Sequence, residues 1–356
     1  MFAQAHNPEK LTLTELDAYL ERGWFRMGQS IFTTNFIRFE SNVYSTVWLR
    51  VVLDDFLADS TQNKLIKRNA RFQTNIQPAI LTDEKEDLYT RYSNSLPFQP
   101  SDSLRHLLLG RADVPTIYHT FEVTIHHDNQ LIAIGFFDMG KTSAAGIISA
   151  YDPAYKKYSL GKYLIYLKMK FCKSKMLRYF YPGYFVPGYP FFDYKLALAG
   201  PVLQFLQLSS QRWLGIGEFS QECIPYQVML HKLLSVQLLL AEVKIESSIV
   251  KYEYFGANLI PDLRDAELFD FPLFLFCPTL SEDGFNPIVV FDVCDAHFHL
   301  IRCQPVWKPD EINPDNTFYS SYYIKSVQEL CAAQSAEEIA EAFLKFSMNK
   351  TSSSST

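Results

Sequence analysis

Between Thr116 and Val186 the chain reads as three strands in quick succession, one amphipathic helix and a fourth strand. No other feature constrains the fold as much. The strands are Thr116–His126, Leu131–Asp138 and Ala144–Tyr151, divided by the turn residues His127-Asp128-Asn129-Gln130 and Gly140-Lys141-Thr142. The helix runs from Ser159 to Lys175, because Leu160, Leu164, Leu167 and Phe171 recur at steps of four, three and four, one helical face. The lysines are then expected mainly on its other sides. Leu177–Val186 is the strand that follows.

The charge in this stretch is one-sided. Residues 154–178 hold Lys156, Lys157, Lys162, Lys168, Lys170, Lys173, Lys175 and Arg178 with no Asp or Glu, and residues 179–194 hold nine aromatics. Basic charge beside rings suits a surface that grips phosphates and stacks an unpaired nucleotide. The net charge of −6 excludes a general nucleic-acid coat, so a basic face has to be local. Six cysteines, the first at Cys172, include no Cys-x-x-Cys pair and read as ordinary thiols of a reducing compartment. The first ten residues lack a signal-peptide pattern, and the apolar run Leu196–Leu208 is broken by Gly200, Pro201, Gln204 and Gln207. A cytoplasmic, soluble protein is expected.

Elsewhere, Thr12 and Glu15 form a capping box for a helix that Gly23 ends, and Val43–Leu53 reads as one strand. Ser60–Arg68, Thr82–Asn94, Ser101–Leu109, Pro225–Glu242 and Glu337–Phe346 read as helices; Phe271–Phe276 and Pro287–Val293 read as strands. The expected division is an N-terminal domain over 1–100, a catalytic domain over 101–220, an α+β extension over 221–350 and a disordered Ser/Thr tail over 351–356.

The run from Gln130 through Asp138, Ser143, Tyr151-Asp152-Pro153, Ser159-Leu160-Gly161 and Tyr181-Pro182-Gly183-Tyr184 to Tyr194-Lys195 resembles the arginyl-tRNA–protein transferase family. Arg22-Gly23-Trp24-Phe25-Arg26 and Leu65–Ala70 resemble further segments of it, and the similarity spans residues 12–215. The strand–strand–strand–helix–strand order is also the central order of the GNAT acyltransferase fold. The fold class expected is therefore α+β. It consists of a GNAT-like core, a mixed and mainly antiparallel sheet with flanking helices, preceded by a smaller α/β N-terminal domain.

The resemblance implies transfer of an aminoacyl group, arginine before leucine, from charged tRNA to the α-amine of proteins that begin with an acidic residue. The partners implied are aminoacyl-tRNA and such proteins, with no membrane. Asp138, Tyr151 and Asp152 are the catalytic candidates: Asp138 to orient the amine, Tyr151 and Asp152 as a turn and site wall. Arg68, Ser159, Gly161, Lys162, Tyr181, Tyr184, Tyr194 and Lys195 are the substrate-binding candidates. Ser159 caps the basic helix or meets phosphate, Lys195 and Arg68 bind anions, and Tyr181 and Tyr184 flank turn residues where they could line a pocket. Family members commonly carry N-terminal cysteines that bind a metal or an iron–sulfur cluster. This chain has Arg38, Glu40 and Asn42 in that region, so no cofactor is expected. Tyr189 and Phe192 stand where the family has a small residue and a Met. Two other readings are a CoA-dependent N-acyltransferase, disfavoured by the single glycine of Tyr158–Tyr163, and a non-catalytic tRNA- or protein-binding relative.

Overall fold

The computed structural model describes residues 1–96, 101–110, 116–278, 287–310 and 317–353. Strand β1 (Ala3–His6) leads into helix α1 (Leu13–Glu21), and the capping box is formed. Thr12 Oγ1 accepts from the Glu15 N–H at 3.2 Å, and the Glu15 carboxylate accepts from the Thr12 N–H at 2.8 Å. Gly23 turns the chain at φ +78°. β2 (Phe25–Met27) and β3 (Ser30–Thr34) complete a small antiparallel sheet in the order β1-β3-β2. β4 (Phe36–Phe39) and β5 (Asn42–Ser45) then form a hairpin. The strand expected over Val43–Leu53 breaks at Thr46, whose N–H and hydroxyl donate to Asn35 O and Thr34 O instead of a ladder. The second half, β6 (Val47–Val52), joins a different sheet.

That sheet has eight strands. Its other elements, in chain order, are α2 (Ser60–Asn69), β7 (Gln73–Pro78), α3 (Asp83–Ser93), α4 (Leu104–Leu109), β8 (Thr120–His127), β9 (Gln130–Met139), β10 (Ser143–Tyr151), a 3₁₀ segment Pro153–Tyr158, α5 (Leu160–Ser174), β11 (Tyr179–Phe185), β12 (Leu203–Gln207) and β13 (Arg212–Gly215). The order is β13-β12-β6-β11-β10-β9-β8-β7. Every neighbouring pair is antiparallel except β10 and β11, the two strands joined through α5. Since β6 and β7 come from residues 47–78, the expected boundary at residue 100 runs through this sheet.

Alternation along β6 shows the two faces. Val47, Leu49 and Val51 pack with Leu160, Leu164 and Met169 of α5, while Trp48 packs with Leu16 and Leu20 of α1. Leu88 and Tyr89 of α3 and Leu104 and Leu108 of α4 cover Ile134 and Phe136. The basic helix departs from expectation at one position. Lys168 lies on its buried side and is 1% exposed.

The chain beyond residue 220 forms a second layered unit. α6 (Pro225–Glu242) has the bounds expected from sequence. β14 (Ser248–Tyr252), β15 (Leu273–Phe276), β16 (Pro287–Asp292), β17 (His297–Trp307), β18 (Phe318–Tyr319) and β19 (Tyr323–Ala333) make a sheet in the order β18-β14-β15-β16-β17-β19. α6 and α7 (Ala336–Ser353) share its core through Leu233, Val236, Ile339 and Phe343. Phe2 enters the same core, and the Asp270 carboxylate accepts from the Phe2 and Ala3 N–H groups. α7 continues through Ser353 into the tail expected to be disordered, of which 354–356 lie outside the described residues. Among the described residues no helix is long and apolar enough to cross a membrane.

Candidate active-site cleft

β10 and β11 pair in parallel over Ser143–Ala145 and Tyr179–Tyr181 only. Beyond that point β11 pairs with β6 and β10 with β9, so the two strands part in the middle of the sheet. Residues 146–149 of β10 are half-buried although the strand is central. Both strands are irregular where they part. β10 bulges between Gly146 and Ile148 against β9, and β11 shifts register between Phe180 and Gly183 against β6. The Pro182-Gly183 pair is therefore a bulge inside a strand. Tyr181 and Tyr184 do not flank a turn, because Gly183 takes φ +87° without ending the ladder. The parted ends lie at the carboxyl side of the two parallel strands, where a crevice opens in sheets of this kind.

Tyrosines line one side of the mouth. The Tyr151 ring is 5.3 Å from that of Tyr92 on α3. It also touches the first turn of α5, since a Cβ placed on Gly161 would be 3.5 Å from it. Burial and then Tyr151 push the Tyr194 phenol up to about 12; burial and then Tyr194 and Tyr151 push Tyr92 up as well. The phenols of Tyr92 and Tyr194 are neutral hydrogen-bond donors at pH 7, not bases.

Lys195 lies beside them on the 3₁₀ segment Pro190–Ala197 and is 9% exposed. Its ammonium donates to Tyr184 O at 2.6 Å and lies 5.4 Å and 5.3 Å from the Tyr184 and Phe192 rings. Gly183 makes room, for a Cβ there would sit 3.3 Å from Lys195 Nζ. Among the described residues no carboxylate pairs with this ammonium, and burial lowers its pKa to about 7. A second buried amine supports the cleft from behind. Lys168 Nζ donates to Phe136 O at 3.0 Å and Ile148 O at 2.6 Å and meets Ser149 Oγ at 3.1 Å, holding the β10 bulge; burial lowers it to about 7.

Of the sequence candidates, Tyr151, Gly161, Tyr184, Tyr194 and Lys195 come together here. Asp138 does not. It pairs across the ladder with Ala145, six residues before Tyr151 on β10, so it is on the order of 20 Å from the mouth at strand spacing. It is 1% exposed, bound by Arg26 Nη1 at 2.9 Å and Thr120 Oγ1 at 2.7 Å. Burial raises its pKa, and Arg26 and Thr120 oppose the rise. Asp152 Oδ1 accepts from Ala154 N–H and starts the Pro153–Tyr158 segment, with Arg91 3.5 Å from its other oxygen. Ser159 takes φ +54° and its side chain makes no capping bond, so the cap expected there is absent. Lys162 is half-buried on the first turn of α5. Tyr181 is core: it is 1% exposed, 5.5 Å from Trp213, and pushed up to about 12 chiefly by burial. Arg68 Nη2 donates to Tyr158 O at 2.9 Å from an exposed position. Sequence reasoning missed Tyr92 and Lys168. Arg26 stood in a noted motif, but its partner is 112 residues away and nothing local marks it.

The cleft falls within residues 70–202, which match the family model described as "Arginine-tRNA-protein transferase, C terminus". The chain is similar to an aspartate/glutamate leucyltransferase of Leptospira interrogans, 28% identical over 218 residues that cover 60% of this chain and 83% of that protein. It is also similar to an aspartate/glutamate leucyltransferase of Helicobacter hepaticus, 26% identical over 185 residues, covering 49% and 73%. The solved structure of L-PGS from Bacillus licheniformis aligns over 48% of this chain and 50% of that one at TM-score 0.30 and 10% identity, too weak a likeness to bear on the fold. Over residues 70–202 the chain is similar to the aminoacyl-tRNA–protein transferase family.

Proposed function

We propose that the cleft between β10 and β11 transfers an aminoacyl group from charged tRNA to the α-amine of proteins that begin with Asp or Glu. The observation that carries this reading is Lys195. A buried ammonium has three N–H donors, and here one is used, on Tyr184 O. Two are left for an acceptor carboxylate, and among the described residues no carboxylate is paired to it. The acceptor amine, having lost its proton to water, attacks the ester carbonyl. The tetrahedral intermediate expels the ribose 3′ oxygen, which takes up a proton, and an amide remains. The ester is already activated, so holding the amine against it supplies much of the rate. The Tyr151 and Tyr194 phenols are suited to donate to the oxyanion. Asp138 acts from a distance, holding β9 and Arg26 in place. The sheet that parts at one parallel pair supports a GNAT-like core.

The named activity of the relatives favours leucine as the transferred residue. With no cysteine before Cys172, we propose that no metal or cluster takes part, and that the protein works in the cytoplasm where charged tRNA is met. The test is transfer of radiolabelled leucine or arginine from charged tRNA to peptides that begin with Asp, Glu or Ala. Label in the Asp and Glu peptides alone is expected, more from leucyl-tRNA. No label in any peptide overturns the reaction; equal label in all three overturns the role of Lys195.

A further inference from the structure

We infer that the acceptor arm of the tRNA is received by a surface built from α2 and the Pro153–Tyr158 segment, and not by the length of α5. The inference rests on the transferase reading above and assigns its donor a place on the protein. Two stretches of sequence without any Asp or Glu, 60–78 and 153–192, meet at this point. From the first come Lys64, Lys67, Arg68 and Arg71, and from the second Lys156 and Lys157, all six exposed. Side chains of α2 hold the backbone of the second stretch. Arg68 Nη2 and Asn69 Nδ2 both donate to Tyr158 O, at 2.9 Å and 3.0 Å. The Tyr158 ring is held by cations on both stretches, with Arg71 Cζ 4.8 Å and Lys157 Nζ 5.2 Å from its centroid, and Arg71 also bonds its hydroxyl.

The basic residues of α5 are dispersed by comparison. Lys168 is buried at the bulge, and Lys173 is taken by the carbonyls of Asp54 and Phe56. Lys175 and Arg178 lie past the far end of a 15-residue helix, on the order of 20 Å from its start. The α2 surface, in contrast, adjoins the mouth. The Pro153–Tyr158 segment joins Tyr151 to the first turn of α5, so a strand held on it leads directly to the tyrosines. Cations spread over two elements, with none converging on a point, fit a polyanion better than a single phosphate.

Binding of uncharged tRNA to the full chain, followed by fluorescence anisotropy from 50 to 200 mM salt, tests this. Two triple reversals carry the same charge change: K64E/K67E/K156E on the proposed surface and K170E/K175E/R178E on α5 and beyond. The first is expected to lose about ten-fold or more in affinity and to flatten the salt slope by about two units; the second should change affinity by less than about two-fold. Equal losses, or a larger loss for the second, overturn the proposal. If the first triple folds poorly by circular dichroism, K64Q/K67Q/K156Q gives the same comparison with a smaller expected loss. Leucyl transfer by the unaltered protein is measured alongside. Transfer with no selective effect of the α2 reversals sinks the surface alone, whereas no transfer and no tRNA binding sinks the transferase reading.

Discussion

At the scale of the residue, the proposed transfer turns on Lys195. Removing it leaves an acceptor carboxylate without a partner in a half-dry cleft, a loss on the order of 2 kcal/mol, or about thirty-fold. Lys195→Ala should therefore remove most of the preference for Asp- over Ala-starting peptides, read as the ratio of their kcat/KM values, while tRNA affinity holds. The pH dependence of that ratio follows from the pKa of about 7. Lys195 is charged below it and neutral above, so acidic preference should fall as pH rises through 7. Protonation of the peptide amines cancels in the ratio, and the variant's ratio should be flat from pH 6 to 8.5. A ratio that rises with pH would refute the assignment. Gly183 is the second sensitive position. Ala there must adopt φ +87° and crowd an ammonium 3.3 Å away. Gly183→Ala should cost about 1 kcal/mol or more in stability and also lower the Asp/Ala ratio, a pairing that strain alone does not predict.

At the scale of the element, the β10 bulge and the helix behind it form one device. A neutral amine has two N–H donors and one lone pair, which matches two carbonyls and one hydroxyl around Lys168. Burial lowers Lys168 and Lys195 in the folded chain to about 7, against 10.5 for a lysine in water. Between those pH values the unfolded chain holds protons that the folded chain does not, so stability should rise with pH from 7 to 8.5. The slope is at most about 1.4 kcal/mol per pH unit for each lysine. Below 7 both states are protonated and the dependence flattens. Lys168→Met should be destabilised by about 1–3 kcal/mol through its unsatisfied carbonyls and should lose part of this slope in denaturant melts at pH 7, 8 and 8.5. An undiminished slope would show that Lys168 does not titrate there.

At the scale of the whole molecule, residues far apart in the chain are tied across the sheet. Arg26, at 5% side-chain exposure, bonds Asp138, Thr120, Gly28 O and Leu108 O and lies 4.3 Å from the Tyr118 ring. It thereby joins the N-terminal sheet to β8, β9 and α4. Breaking such a pair from one side leaves a buried carboxylate, and Arg26→Ala should cost about 3–5 kcal/mol. Arg26→Ala with Asp138→Asn should recover part of that loss, because the charge goes with its partner. A double variant no more stable than Arg26→Ala would mean the carboxylate is not what Arg26 stabilises.

What the sequence determined by itself is whatever depends on short spacing. Helical periodicity placed α5 and α6, alternation and turn residues placed β8 to β10, and the Thr12–Glu15 box set the start of α1, all through interactions within a few residues. Tyr151, Gly161, Tyr194 and Lys195 stood out through the short motifs that carry the family resemblance, each a run of neighbouring residues. Only the tertiary structure decided that β10 and β11 part, that Lys168 turns inward to hold the bulge, and that Arg26 rather than solvent meets Asp138. Those outcomes depend on which strands become neighbours in a sheet assembled from residues 47–215, and no local spacing records that choice. The same reason moved the basic surface. The lysines of α5 are contiguous in sequence, but burial and carbonyl bonds remove two of them, and α2, some ninety residues earlier, supplies the cations that stand beside the cleft.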